Sequence, residues 1–219
     1  MRRIGAAAAK CGRSPNEVRL VAVGKTHPPE TIQAAIDAGA VIIGENYIQE
    51  ARAKFDALIH ASVQWHFIGH LQSNKAKYAV RMFDLIHTVD SVKLAAEIDR
   101  CAAKAGKVQA ILIQVNISAE ASKSGVATSE VITTLQEIHA FNHIRIKGLM
   151  TMPPFFDDPE RARPYFAALR GFRDQIAAKK IAGLELNELS MGMSGDFETA
   201  IEEGATLVRI GTALFGERQ

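Results

Sequence analysis

The chain has 219 residues, of which 47% are hydrophobic and 23% charged, and its formal net charge is +2. This length suits a single folded domain over residues 1–219, and a charge so close to neutral, without a block of Lys and Arg, argues against a nucleic-acid partner. No apolar run approaches the roughly 20 residues that a membrane span needs.

The cysteines and histidines argue against a disulfide framework and against a metal site. Cys11 and Cys101 lie far apart and in no metal-type spacing, so we expect free thiols in a reducing cytoplasm. The seven histidines show no H-x-x-x-H pair at a plausible site, so no metal ligand is predicted.

Short apolar runs alternate with amphipathic stretches along the chain. The start is predicted as the end of an N-terminal helix that closes near Gly12. Eight strands are then predicted, over residues 19–25, 41–46, 63–69, 85–90, 108–117, 144–152, 184–192 and 207–211. Helices are predicted between them, over residues 28–38, 47–60, 73–83, 91–105, 129–141, 160–180 and 197–203.

Eight strand–helix units in about 200 residues favour an α/β fold of the closed (β/α)8 TIM-barrel type. The alternative is a doubly wound open sheet, which usually carries a G-x-G-x-x-G turn after its first strand. Here the first strand runs into Gly24-Lys25-Thr26-His27-Pro28 instead. We therefore predict the barrel, with its functional face at the carboxyl ends of the strands.

The polar residues at those strand ends suggest an anion site. The first strand ends in Lys25 and the second in Asn46, while small polar residues at 190–195 and Gly211-Thr212 follow the last two strands. Loops after strands seven and eight are where this fold commonly binds phosphate, because free backbone N–H groups favour an anion there. A plain turn built of small residues is the alternative.

Lys25 and Arg209 extend this prediction to a ligand. Lys25 could simply reach solvent, but in an apolar barrel mouth its amine would be a nucleophile for a carbonyl, and a phosphate cradle beside it suggests a phosphorylated aldehyde. An arginine inside an apolar strand needs a partner. Arg209 either faces the ring nitrogen of pyridoxal phosphate or pairs with Glu45 or Glu188.

The chain resembles the YggS/PROSC family of pyridoxal phosphate homeostasis proteins, which look like the barrel domain of alanine racemase. The resemblance covers almost the whole chain and is carried by residues 23–26, 44–47, 65–69, 71–72, 74–75, 190–194 and 209–212. It implies that Lys25 forms the Schiff base and that Arg209 faces the pyridine nitrogen. It also implies that Ser194, Gly211 and Thr212 hold the phosphate and that Asn46 lies near the ring.

The resemblance implies a carrier of vitamin B6 rather than an enzyme, with no catalytic residue. We expect a cytoplasmic monomer that holds pyridoxal phosphate and passes it to apo-enzymes. The alternative is an amino-acid racemase, which needs a second proton-transfer group opposite Lys25. In similar racemases that group is a tyrosine of a second domain, and we expect no such domain here. Tyr47, Tyr78 and Tyr165 are all predicted in helices. His70 is the one histidine expected near the mouth, and a structural role is expected for it.

Overall fold

The computed structural model describes residues 1–120, 124–181 and 184–216. Its strands are β1 (Arg19–Val23), β2 (Ile42–Glu45), β3 (Gln64–Phe67), β4 (Leu85–Val89), β5 (Gln109–Asn116), β6 (Val126–Ala127), β7 (Ile144–Met150), β8 (Glu188–Ser190) and β9 (Leu207–Ile210). Its helices are α1 (Arg2–Lys10), α2 (Pro29–Asp37), α3 (Ile48–Ala57), α4 (Ala76–Met82), α5 (Val92–Lys104), α6 (Val131–His139), α7 (Arg163–Ala178), α8 (Phe197–Glu202) and α9 (Thr212–Phe215).

The strands form a closed parallel barrel. The order around the barrel is β1, β2, β3, β4, β5, β7, β8 and β9, and β9 pairs with β1 to close it. The two-residue strand β6 pairs with β5 and lies outside the ring. The predicted (β/α)8 barrel is therefore confirmed. Parallel pairing directs all eight carboxyl ends to one face, which brings residues distant in sequence together.

Most predicted elements are present with shorter bounds. The chain leaves β1 at Val23, so Lys25 lies on the following turn and not at the end of the strand. The helix predicted over residues 160–180 is a 3-10 turn, Pro159–Ala162, followed by α7. Strand β6 and helix α9 were not predicted, because each is too short to show a hydrophobic period.

The core has two layers. Inside the barrel, a small apolar cluster fills the lower part, formed by Val21, Ile42, Leu85, Leu112, Met150 and Leu207. Outside it, a much larger cluster packs the strands against the helices, and its largest fully buried side chains include Phe67, Phe83 and Phe166. Above the small cluster the interior contains buried polar side chains, which include His66, His87, Ser190 and Arg209.

Within the described residues, no helix combines the length and the apolar character that crossing a membrane would require. The same residues contain no group of three or more His, Cys, Asp or Glu side chains that could hold a metal ion.

Close packing between β7 and β8 generates the first testable prediction. A Cβ on Gly148 would lie 1.9 Å from the carbonyl oxygen of Glu188, so Gly148→Ala must push the two strands apart. We expect a loss of about 1–3 kcal/mol or more in the free energy of unfolding, measured by urea denaturation.

Gly171 is the matched control for that prediction. It lies inside α7, and a Cβ there meets no atom within 4 Å. Gly171→Ala should therefore stabilise the protein by roughly 0.5–1 kcal/mol through helix propensity. Equal effects of the two substitutions would contradict the packing described for β7 and β8.

Candidate functional site

The candidate site is a cavity of about 270 Å³ at the carboxyl ends of the strands. It is lined by residues at or beyond the carboxyl ends of β1, β2, β3, β7, β8 and β9. All six residues predicted from the sequence line it: Lys25, Asn46, Ser194, Arg209, Gly211 and Thr212. The closed barrel is what assembles them, because β1 and β9 are neighbours in the ring although they lie at opposite ends of the chain.

The turn that carries Lys25 is held from outside the barrel. Thr26 adopts a left-handed conformation with a φ of 67°, which a non-glycine residue rarely adopts. Its N–H donates to Oε2 of Glu50, at 2.9 Å, and Nζ of Lys54 donates to the carbonyl of Gly24, at 2.6 Å. Two side chains of α3 thus fix the peptides on both sides of Lys25, whose side chain is half-buried in the cavity wall.

Lys54 is itself part of a buried ion pair. Its Nζ lies 2.8 Å from Oε1 of Glu45, and both side chains are almost fully buried. Burial raises the pKa of Glu45 to about 7, although the hydrogen bond from Lys54 acts in the opposite direction. The other carboxylate oxygen of Glu45 is buried without a hydrogen-bond partner among the described residues. The ion pair also explains Gly24, since a Cβ there would lie 2.6 Å from Glu45 Oε1.

The loop after β8 joins the start of α9 at one wall of the cavity. Ser194 Oγ accepts hydrogen bonds from the N–H groups of Gly211, at 3.3 Å, and Ala213, at 3.2 Å. The hydroxyl of Ser194 and the N–H groups at the start of α9 therefore lie next to one another. Hydroxyl and backbone N–H donors that converge in this way can hold an anion.

Arg209 points into the upper interior of the barrel and is 4% exposed. Its Nη1 donates to Oγ of Ser190, at 2.6 Å, and its Nη2 donates to the carbonyl of Thr151, at 3.0 Å. Burial lowers the pKa of Arg209 to about 10, and Asp196 partly offsets this, so the guanidinium stays charged at neutral pH. The two acidic residues considered as partners of Arg209 bind other cations, since Glu45 pairs with Lys54 and Glu188 pairs with Arg19.

The sequence did not predict the role of Ser190 or of two histidines. Ser190 lies in the predicted strand 184–192 and opens the small polar run 190–195, and the structure shows it as a fully buried residue of β8. Its Oγ lies 2.8 Å from Nδ1 of His87, whose Nε2 lies 3.0 Å from Nδ1 of His66. A polar residue inside each of two consecutive apolar strands was the available signal, because such residues need partners when buried.

Asn46 connects the cavity to a second one of about 420 Å³. The two cavities share Asn46, Ile68, Met152, Phe155 and Met193, so they form one open mouth. Oδ1 of Asn46 is buried and has no hydrogen-bond partner among the described residues, which leaves it available to a ligand. His70 lines the second cavity, is mostly exposed, and lies 3.9 Å from Asp90.

The raised pKa of Glu45 generates a prediction on stability. Because its pKa is about 7 in the folded protein and 4.5 ordinarily, the unfolded chain releases its proton first as the pH rises. The contribution of Glu45 to stability is therefore complete below pH 4.5 and is lost as the pH rises through about 7. The loss is at most about 1.4 kcal/mol per pH unit.

The measurement is the free energy of unfolding of wild type minus that of Glu45→Gln, as a function of pH. This difference should fall as the pH rises through that window. In the control, wild type minus Glu50→Gln, the difference should show little such fall, because both proteins retain Glu45. A difference that increases with pH would mean that the ion pair with Lys54 outweighs burial.

Comparison with known proteins agrees with this geometry. The family described as alanine racemase, N-terminal domain, matches residues 4–219. The pyridoxal phosphate homeostasis protein of Aquifex aeolicus is 44% identical over 100% of this chain and 95% of its own length. The solved structure of PipY from Synechococcus elongatus with PLP bound is 38% identical and covers 97% of this chain and 100% of its own, with a TM-score of 0.86.

A more distant match shows the fold alone. Alanine racemase of Clostridium difficile is 14% identical with a TM-score of 0.77, and this chain covers 55% of that structure. The full-length matches above are far closer in sequence. This chain therefore belongs to the family of pyridoxal phosphate homeostasis proteins, which is built on the fold of the alanine racemase N-terminal domain.

Proposed function

We propose that this protein binds pyridoxal 5′-phosphate through Lys25, holds it without turning over a substrate, and passes it to apo-enzymes that need it. The observation that carries the proposal is the convergence of an amine, a buried guanidinium and a cluster of N–H and hydroxyl donors in one cavity. Pyridoxal 5′-phosphate presents an aldehyde, a ring nitrogen and a phosphate, which are the three groups that such a set recognises.

Lys25 provides the covalent attachment. Its amine condenses with the aldehyde to form a Schiff base and releases water. The hydrogen bonds of Lys54 and Glu50 to the neighbouring peptides hold the turn in place, so the amine approaches the ligand from a fixed direction.

Ser194, Gly211 and Thr212 bind the phosphate. The N–H groups of Gly211 and Ala213 already meet at Ser194 Oγ, and Thr212 adds a second hydroxyl at the same wall. An anion at this wall gains charge-assisted hydrogen bonds, which are stronger than neutral ones.

Arg209 and Asn46 bind the ring. The guanidinium carries donors only, so it donates to an unprotonated ring nitrogen and keeps that nitrogen without a proton. The buried, unpartnered Oδ1 of Asn46 marks an amide that gains hydrogen bonds from a polar ring substituent.

The lining residues also favour a carrier over a racemase. Racemisation needs proton transfer on both faces of the bound ligand, and Lys25 can serve one face. No tyrosine is among the described residues that line the two cavities. Tyr47 precedes α3 and is 55% exposed, which corrects its prediction as a helical residue. His70, the remaining candidate, is solvent-exposed beside Asp90.

We further propose that the carrier acts as a monomer in the cytoplasm. All the residues assigned to the ligand come from one barrel, so the site is complete without a second copy. The two cysteines, Cys11 and Cys101, are free, which fits a reducing compartment.

Trapping with borohydride tests the covalent attachment. Wild-type protein incubated with pyridoxal 5′-phosphate and reduced should carry a single adduct on Lys25, located by mass spectrometry of peptides. Lys25→Ala should abolish the adduct and the visible absorption, because no other lysine lines the cavity among the described residues. The control variant Lys75→Ala should keep both, and an adduct on Lys75 or another lysine would refute the assignment.

A transfer assay separates the carrier from the racemase. The loaded protein should restore activity to an apo-enzyme dependent on pyridoxal 5′-phosphate, and should form no D-alanine from L-alanine. General acid–base help is typically worth about 10²–10⁴-fold, so a second base would be evident. Rapid formation of the D-isomer, lost in His70→Ala, would instead identify a compact racemase.

A further inference from the structure

A chain of four buried side chains crosses the interior of the barrel. His66 on β3 and His87 on β4 stand on one side, and Ser190 on β8 and Arg209 on β9 stand on the opposite side of the ring. The contacts run from Arg209 Nη1 to Ser190 Oγ, from Ser190 Oγ to His87 Nδ1, and from His87 Nε2 to His66 Nδ1. None of the four is more than 4% exposed.

The hydrogen bonds of this chain have one direction that satisfies every member. A guanidinium has no acceptor, so Ser190 Oγ must accept from Arg209. The single hydroxyl proton of Ser190 is then free to donate to His87 Nδ1, and that ring carries its proton on Nε2. His87 Nε2 donates in turn to Nδ1 of His66. The opposite direction would leave the Ser190 proton buried without use, which is costly.

Both histidines must be neutral for this arrangement to hold. Burial lowers the pKa of His66 to about 3, with a further contribution from the charge of Arg19. Burial also lowers the pKa of His87 well below its ordinary value, and His66, Arg209 and Arg19 act in the same direction. Among these four side chains Arg209 therefore carries the positive charge, and the neutral rings of His66 and His87 act as oriented dipoles beside it.

The consequence for Arg209 is a fixed guanidinium plane. Ser190 holds one of its terminal nitrogens and the carbonyl of Thr151 holds the other. We propose that His87 and His66 are positioning residues, which orient the Ser190 hydroxyl and thereby aim Arg209 at the ring nitrogen of bound pyridoxal 5′-phosphate. This inference rests on the proposed function, and it assigns a role to residues that do not touch the ligand.

The first test needs no ligand. Nitrogen NMR of histidine-labelled protein reports which ring nitrogen carries the proton. We expect His87 and His66 both to be neutral with the proton on Nε2, and Ser190→Ala to shift the Nδ1 signal of His87. A protonated ring, or a His87 ring with its proton on Nδ1, would overturn the proposed chain.

The second test compares pyridoxal 5′-phosphate with its analogue in which C–H replaces the ring nitrogen. In His87→Leu the Ser190 proton loses its acceptor, so Arg209 loses its fixed direction. The Kd for pyridoxal 5′-phosphate should rise about five- to tenfold, whereas the Kd for the analogue should hardly change. His87→Asn, whose amide oxygen can replace Nδ1, should retain most of the preference for pyridoxal 5′-phosphate.

A matched control separates this role from loss of stability. Gln109 is also fully buried but lies at the other end of the barrel, where it donates to the carbonyls of Phe83 and Asp84. Gln109→Leu should lower stability and leave the ratio of the two Kd values unchanged. Equal weakening of both ligands by His87→Leu would refute the positioning role. Failure of wild type to bind either ligand would refute the proposed function itself, and the NMR test would then decide on the hydrogen-bond chain alone.

Discussion

The burial of one guanidinium inside the barrel imposes conditions on the strands around it. A charge removed from water must be compensated by hydrogen bonds, because its desolvation costs several kcal/mol. Among the described residues no carboxylate is in hydrogen-bond contact with Arg209, so Ser190 and the Thr151 carbonyl supply that compensation, and Asp196 acts on it through its charge. The hydroxyl proton of Ser190 in turn requires an acceptor, and His87 on the opposite side of the ring provides it. A single buried arginine on β9 therefore accounts for a polar residue on β4.

Outside the barrel, a second pair of buried charges holds the turn that carries Lys25. There the buried charges are Glu45 and Lys54, and Lys54 also binds the carbonyl of Gly24. Burial shifts the pKa of a carboxyl upwards and that of a histidine or guanidinium downwards, so one cause explains the opposite shifts of Glu45, His87 and Arg209. The inner network orients Arg209, the arginine proposed to bind the ring, and the outer network orients the turn that carries Lys25.

The barrel and the residues that line the cavity could be predicted because their signals are local in the sequence. Arg209 is a charge within an apolar strand and Lys25 is a charge just beyond one. Ser194 and Gly211 belong to small polar turns where this fold commonly binds anions. The hydrogen-bond chain could not be predicted in this way. His66 and His87 are 21 residues apart, and their contact depends on both rings facing the inside of a closed ring of strands.

Two further misses have physical explanations. Ser190 belongs to a predicted strand and opens the small polar run predicted to bind an anion, yet its hydroxyl is buried inside the barrel, where it links Arg209 to His87. Lys54 lies in a helical pattern where lysine is usually solvated, and only the tertiary packing of α3 on β2 reveals that it is buried against Glu45.

The arrangement around Arg209 bears directly on why a racemase-like barrel would hold its ligand without catalysis. In the proposed complex a cation that only donates would keep the ring nitrogen unprotonated, and such a ring draws electrons from a neighbouring carbon less strongly than a protonated one. Ser190 and the Thr151 carbonyl hold the guanidinium in place, so it has little freedom to turn away from the ring nitrogen in that complex. In the proposed complex the contacts that hold Arg209 would therefore also make the bound ligand a weak electron sink. Under the proposed function such a site would suit storage and delivery, since the aldehyde carbon would stay linked to Lys25 and no tyrosine lines the two cavities among the described residues.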